Sequence, residues 1–520
     1  MYTLRDIPRV GAIMFRDNTA IVFEGKRCTY GEFNRRVNRF SHVLISLGCR
    51  KGDRLAVMAD NCSKYLEAYF GAAKIGMSVT PLNVRLGDDE ITYIVNDSEA
   101  TVLVVGDGYE ERLAGLKGRF TGIGNWISFD NPVDGFLDYE TLLAGSPEAE
   151  PDVDVYDVQE DDLAVLMYTG GTTGLPKGVM LSHRNVMISG IASALAMGFT
   201  QEDATCFVLP IFHVSWWPIL AVMIAGGKAC INRRPDLDAI FQLIQDEKCT
   251  HMNLVPTIYG WMVDYPNVEK YDLSSLRLLT YAGSPFPVEV LKKCIRKFGN
   301  KFAQGYGATE TAGAAIAMLD WRDHHLEGER SKYLLSAGQP AICAEAKIVD
   351  DDDRTLAPGE KGEICARGKH IMMGYWKNPE LTAEVLKGGW YHTGDMGYMD
   401  EDGYIYMTDR KADMIISGGE NVYPKEVEDV IYAHPAVKEC AVVSSPSEKW
   451  GEIVQAVVVL KPGEKAAEEE IIEHCRKTLA GYKCPKAVAF WDDIPKTIVG
   501  KIMKKEIKQK FWEGKGRVIS

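Results

Sequence analysis

Phe33, Val37, Phe40 and Leu44 recur at helical spacing with polar residues between them, which predicts a helix with one buried face. Thr29 and Glu32 stand just ahead of it in the pattern of a capping box. Upstream, the short runs Ala20–Glu24 and Lys26–Thr29 flank Gly25 and predict a hairpin. Arg54–Met58 and Ala100–Val105 are apolar runs of strand length, and Lys64–Lys74 between them reads as a helix. Such alternation predicts parallel sheets covered on both faces.

The pattern changes between Asp350 and His392. Turn-rich segments such as Leu356–Gly362 separate short strand-like runs, Gly362–Ala366 among them, and predict a small β-rich subdomain. A charged segment, Asp409–Asp413, follows. Pro424 then sits well at a helix start, with Val427, Val430 and Ile431 as the apolar face. Strands over Glu439–Val443 and Ile453–Leu460 and a helix near Glu468–Leu479 complete an α+β unit. The boundary expected from this change lies near Arg410, dividing the chain into 1–409 and 410–520. The fold class expected is a large α/β domain of mostly parallel sheets with the β-rich subdomain, followed by the small α+β domain.

A chain of 520 residues with 46% hydrophobic and 25% charged residues has material for several cores. The net charge of −14 argues against nucleic acid as a partner, since phosphate neutralisation needs a basic surface. The 12 cysteines are scattered, with no C-x-x-C pair and no zinc spacing, which fits reduced thiols in the cytoplasm. Near the N-terminus, Arg5, Asp6 and Arg9 interrupt any signal-like apolar run. Phe207–Gly227 is long and apolar enough to need a check as a membrane span. Pro210, His213, Ser215 and Pro218 break it, so it reads as buried core with a functional loop, and no transmembrane segment is expected.

Five segments carry candidate chemistry. In YTGGTTGLPKG, Tyr168–Gly178, a strand-like run at Leu163–Met167 leads into a phosphate cradle. Gly170, Gly171 and Gly174 let backbone amides turn toward an anion, Thr169, Thr172 and Thr173 add hydroxyls, and Lys177 adds charge. The glycine spacing is not that of a Walker A loop, and a bare hairpin tip is the competing reading. In QGYGATET, Gln304–Thr311, Glu310 is a hard oxygen ligand suited to Mg2+, Thr309 can donate to a phosphate, and Tyr306 offers a flat face to a purine. In YHTGDMG, Asp395 can accept both hydroxyls of a ribose. In DRKADMIISGGENVYP, Arg410 suits a ribose or phosphate, and Gly418 and Gly419 permit close backbone approach. PKTIVGK, Pro495–Lys501, ends on a lysine that spacing alone cannot single out.

Together, and in this order, the five segments resemble the adenylate-forming superfamily of acyl-CoA synthetases, firefly luciferases and nonribosomal adenylation domains. The resemblance covers nearly the whole chain, and ISGGENVYP and SEKWG are most similar to the acyl- and aryl-CoA synthetases. It implies ATP, Mg2+ and coenzyme A, a carboxylic acid as substrate, and a mobile C-terminal domain. It also implies residue roles: the cradle from Thr169 to Lys177, adenine beside Tyr306 and the loop Gly283, Ser284, Pro285, phosphate and magnesium at Thr309 and Glu310. Ribose falls to Asp395 and Arg410, the acid and α-phosphate to Lys501, the acyl and pantetheine site to His213, and coenzyme A to Gly418, Gly419 and Trp450. Two positions depart from the family pattern: Ala412 at the hinge, usually Asp or Lys, and Cys484 where some aryl-CoA synthetases place an arginine for the coenzyme A phosphate.

The parts fit a two-step reaction. A carboxylate is a poor electrophile, so it attacks the α-phosphorus of ATP and expels pyrophosphate; a thiol then attacks the acyl carbon of the acyl-adenylate, and AMP leaves. Alternatives are transfer to a carrier-protein thiol, a nucleotide-regulated binding protein and a luciferase-type oxygenase. A homodimer stays open. Acetate-specialised relatives resemble one another in a tryptophan after the adenine-stacking aromatic. Here Gly307 stands there, which implies a pocket open to a larger cyclic, aromatic or medium-length acid, with Trp216 and Trp217 either restoring bulk or packing in the core.

Overall fold

The computed structural model describes residues 3–513 apart from 107, 131–132, 170–174, 411–412, 418–419, 448–450 and 498–501. Among the described residues the chain forms four sheets. A nine-stranded sheet runs Gln339–Pro340, Gly313–Leu319, Phe302–Ala308, Leu278–Ala282, His251–Leu254, Ala204–Phe207, Lys228–Ile231, Thr19–Phe23, Lys26–Thr29. Its strands from Phe302–Ala308 through Thr19–Phe23 are parallel, and antiparallel strands finish both edges. An eight-stranded sheet runs Gly374–Tyr375, Lys177–Ser182, Leu163–Thr169, Ser78–Pro81, Arg54–Met58, Val102–Val105, Asn125–Ser128, Leu137–Asp138. It is parallel from Leu163–Thr169 to Leu137–Asp138, while Lys177–Ser182 runs antiparallel to both of its neighbours, Leu163–Thr169 and Gly374–Tyr375.

The predicted hairpin is present but belongs to the first sheet, where Ile21 pairs with Ala229, while the next strand, Arg54–Met58, joins the second. The helix Tyr30–Ser46 follows it. Its capping box forms: Glu32 N donates to Thr29 Oγ1 at 3.2 Å, and Thr29 N to Glu32 Oε2 at 2.8 Å. Phe33, Val37, Phe40 and Leu44 are fully buried, each contributing roughly 1.5–3 kcal/mol of apolar burial. Ser63–Lys74 packs on this helix closely enough that a β-carbon on Gly71 would stand 2.7 Å from the Phe40 ring.

The apolar stretch 207–227 becomes a strand end, the turn Val214–Trp216 and the short helix Trp217–Ile224, nearly all buried. No helix among the described residues is long and apolar enough to cross a membrane. The β-rich subdomain is an antiparallel sheet of Glu345–Val349, Gly362–Arg367, Tyr391–Met399 and Ile405–Arg410. The last sheet, from Ile415–Ser417 to Ala487–Phe490, has a core of its own, in which Val427 and Ile431 of the helix Pro424–Tyr432 meet Val442 and Val454. The later helix stops at Arg476, short of the expected Leu479.

Candidate active site

Leu163–Thr169 and Lys177–Ser182 pair antiparallel, with Thr169 directly opposite Lys177. Thr169 and Lys177 therefore close, by backbone pairing, the two strands that flank the glycine-rich motif. Gly170, Gly171, Thr172, Thr173 and Gly174 lie outside the described residues. This pair of strands is held from both sides. Tyr168 Oη donates to Asp97 Oδ2 at 2.5 Å, and a β-carbon on Gly178 would stand 3.0–3.1 Å from Leu166, Trp376 and Tyr168. The helix His183–Met197 starts at the hairpin's exit, capped by Ser182 and Asn185. Asn185 Nδ2 also donates to the carbonyls of Lys369 and Ile371, which steers the chain back toward the hairpin.

That returning chain adds Gly374–Tyr375 beside the hairpin, Tyr375 opposite Val179. Tyr375 Oη donates to Glu310 Oε1 at 2.8 Å, and Lys177 Nζ stands 5.7 Å from the centre of the Tyr375 ring. The first and second motifs thus meet through one tyrosine. Burial raises the pKa of Tyr375, and the Glu310 carboxylate raises it further. Thr309 and Glu310 form the turn Thr309–Thr311, fixed by Met372 N donating to Glu310 O at 2.8 Å. Among the described residues no group of three or more His, Cys, Asp or Glu is arranged to hold a metal. Glu310 is a single carboxylate with one oxygen engaged, a donor set that suits Mg2+ shared with phosphates and water.

Gly283, Ser284 and Pro285 follow the carboxyl end of the parallel strand Leu278–Ala282, whose neighbour Phe302–Ala308 carries Tyr306; Ala282 pairs with Gly305. Ligands of open parallel sheets bind at such carboxyl ends. Gly283 has φ +85, a conformation that favours glycine. Tyr306 is 7% exposed and donates from Oη to Asp395 Oδ2 at 2.7 Å. Across the subdomain sheet Asp395 is the direct partner of Arg410, which is described in its backbone only. The structure therefore gathers Tyr306, Asp395 and the Arg410 backbone.

His213 precedes the turn Val214–Trp216, its ring 4.8 Å from that of Phe212. Burial lowers its pKa to about 4, so it is neutral near pH 7. Lys501, Gly418, Gly419, Trp450 and the hinge residue Ala412 lie outside the described residues. Cys484 is 1% exposed within the C-terminal core, and its thiol donates to the carbonyls of Leu479 and Ala480. Lys483 is paired with Glu426, and Lys486 donates to Gly481 O.

Gly307 does not leave the opening expected of it. A β-carbon there would stand 2.0 Å from Gly313 O, 2.8 Å from Thr311 Oγ1 and 2.9 Å from Ala315 N. Glycine at 307 lets the adjoining strand approach; it does not vacate a pocket wall. Both tryptophans pack in the core: Trp216 is stacked on Tyr69 at 4.5 Å, and Trp217 is 4% exposed and packs against Gly313. Two residues at the site were not singled out from sequence. One is Tyr375, whose signal is the aromatic pair after Gly374. The other is Tyr391, 5% exposed, its pKa raised by burial and then by Glu310 and Tyr375.

Residues 11–376 match the family model described as AMP-binding enzyme, and residues 426–501 match that of the AMP-binding enzyme C-terminal domain. A feruloyl-CoA synthase from Amycolatopsis sp is 37% identical over 95% of this chain and 96% of its own. A long-chain-fatty-acid–CoA ligase from Bacillus subtilis is 34% identical over 98% and 95%. The crystal structure of an anthranilate CoA ligase in complex with anthranoyl-AMP has a TM-score of 0.88 at 25% identity, covering 98% of this chain and 97% of that one.

Proposed function

The chain belongs to the AMP-binding enzyme family and is an AMP-forming acid–thiol ligase that joins a carboxylic acid to coenzyme A with ATP; we propose that its acid is cyclic, aromatic or of medium length, with aromatic favoured. The observation that supports this site most is the convergence of three sequence motifs: Lys177 and Glu310 meet at Tyr375, and Tyr306 bonds Asp395. The names of relatives acting on ferulate and anthranilate support the aromatic choice.

In this reading ATP lies with its adenine between Tyr306 and Gly283, Ser284 and Pro285, its ribose hydroxyls on Asp395 and Arg410, and its phosphates over the hairpin from Thr169 to Lys177. Thr172 and Lys177 meet the charge that moves onto the leaving pyrophosphate. Glu310 would hold Mg2+, which when bound neutralises phosphate charge. Lys501 bridges the acid and the α-phosphate in the first step. His213, neutral at working pH, borders the acyl site and offers an uncharged polar edge to the incoming thiol. Gly418, Gly419 and Trp450 serve coenzyme A in the second step.

The two steps need different surroundings, which suits a C-terminal unit, 410–520, moving on the body 1–409 about a joint at Ala412. A cytoplasmic location fits substrates of this kind, and a homodimer is the assembly to check by sedimentation. The deciding experiment is acid-dependent exchange of labelled pyrophosphate into ATP over a panel of aliphatic, alicyclic and aromatic acids, followed by thioester formation with free coenzyme A. Exchange with no acid in the panel, or with acetate or palmitate best, would overturn the acid assignment. Exchange without thioester formation would point to a carrier-protein thiol.

A further inference from the structure

The strands Gly362–Arg367 and Tyr391–Met399 fall out of step where Asp395 sits. Glu363 pairs with Met396 and Cys365 with His392, so Ile364 alone faces Thr393, Gly394 and Asp395. Bulges of this kind re-aim side chains beside functional sites. Here the displaced residue is Asp395, whose carboxylate reaches Tyr306 Oη at 2.7 Å. Two side chains set the shape of the bulge. Thr393 Oγ1 donates to Ile364 O at 2.7 Å and accepts from Asp395 N at 3.0 Å. Glu363 Oε1 accepts from Gly394 N at 2.9 Å, and its Oε2 lies 3.3 Å from His392 Nδ1. The backbone alone would not hold this shape. Gly394 has φ +71, a region glycine visits freely, and nothing lies within 4 Å of where a β-carbon would stand. One hydroxyl thus ties the amide of Asp395 to the opposite strand, while Tyr306 holds its carboxylate. Restrained at both ends, Asp395 has its direction set by the protein itself.

We propose that Thr393, with Glu363 beside it, is a positioning residue for nucleotide recognition, acting through Asp395 to place its carboxylate at the ribose hydroxyls. The proposal rests on the assignment of Asp395 to the ribose. A carboxylate misplaced by about 1 Å loses its hydrogen bonds, so the loss falls on nucleotides that carry those hydroxyls.

The test reads pyrophosphate release with coenzyme A and the best acid of the panel, varying ATP or 2′,3′-dideoxy-ATP. The unchanged chain should prefer ATP by about 100-fold or more in kcat/KM, since two hydroxyls bonded to charged groups are at stake. Thr393→Val keeps the shape and loses both bonds. It should cut that preference by about tenfold or more through a raised KM for ATP, with dideoxy-ATP and the KM for the acid little changed. Thr393→Ser returns the hydroxyl and should return the preference. A merely structural threonine would lower both nucleotides alike. An unchanged preference in Thr393→Val, or no recovery in Thr393→Ser, therefore overturns the proposal and leaves the ribose assignment intact. No preference for ATP in the unchanged chain overturns the ribose assignment and the proposal with it. Glu363→Ala undoes the other restraint and decides the matter where Thr393→Val does not fold: a reduced preference supports the proposal, and an unchanged one overturns it.

Discussion

Tyr306 donates its phenolic hydrogen to Asp395 Oδ2 at 2.7 Å, joining the nine-stranded sheet to the β-rich subdomain. The bond orients the carboxylate assigned to ribose and holds the ring assigned to adenine. Tyr306→Phe keeps the ring and removes the bond. The expected outcome is an ATP KM raised about 3- to 10-fold with kcat less affected, and a stability loss of about 1 kcal/mol. Steady-state kinetics and thermal melts check it. An unchanged KM for ATP would separate the bond from nucleotide binding.

Tyr375 should set how Glu310 meets the metal. Tyr375→Phe frees Glu310 Oε1 without changing the ring beneath Lys177. The Mg2+ concentration at half-maximal pyrophosphate exchange should therefore shift by several-fold. Glu310→Gln should cut exchange by about 100-fold or more, since a carboxylate facing transferring phosphates is worth a few kcal/mol, with little change in Tm. Wild-type exchange at low Mg2+ in Glu310→Gln would show an ordinary surface glutamate.

Lys501 is expected to act in one half-reaction only. Lys501→Ala should lower acyl-adenylate formation by about 100- to 1000-fold or more, the usual cost of losing a positioned transition-state charge. Supplying the preformed acyl-adenylate with coenzyme A should largely restore the thioester. Equal losses in both assays would remove the division of labour between the two faces of the C-terminal unit.

Acid should destabilise the fold through buried imidazoles. Burial lowers His183, His213, His324 and His370 to about 4 and His251 to about 3. These groups stay neutral when folded but take up protons on unfolding below about 6.5, so stability is highest above that pH and falls as pH drops toward 4. The slope is roughly 1.4 kcal/mol per pH unit for each group titrating only in the unfolded state. His251 sits between Thr205 Oγ1 and Thr280 Oγ1 at 2.8 and 2.9 Å. His251→Gln should lower Tm near pH 7.5 and flatten its decline toward pH 4.5. Parallel curves for the two proteins would count against this origin.

Local rules made much of the fold readable. The capping box at Thr29, the apolar stripe from Phe33 to Leu44 and the strand Arg54–Met58 depend on neighbours in sequence, and these formed as the pattern implied. Sheet membership did not show, because the partner of Ile21 is Ala229 and nothing near residue 21 encodes it. The motifs revealed which residues could bind a nucleotide, but not that Tyr375 links two of them. Gly307 misled for a related reason. Absence of a side chain signals space only if the vacated direction is open, and there it holds the carbonyl of Gly313. Cys484 was legible as a departure from the family pattern, yet its burial depends on how the whole C-terminal sheet packs.

The pairing of the hairpin Thr19–Phe23 with Lys228–Ile231 has a consequence for how the chain is made. Its partner strand is synthesised roughly 200 residues later, about 10–40 s at ordinary ribosomal rates. During that interval the strand Thr19–Phe23, with Ile21 and Val22 destined for full burial, has no permanent neighbour on that side. The eight-stranded sheet can assemble first, up to its last edge, and only then can the nine-stranded sheet accept the waiting hairpin. Newborn chains halted before residue 228 should therefore present this apolar strand to chaperones, while chains halted after 231 should bury it.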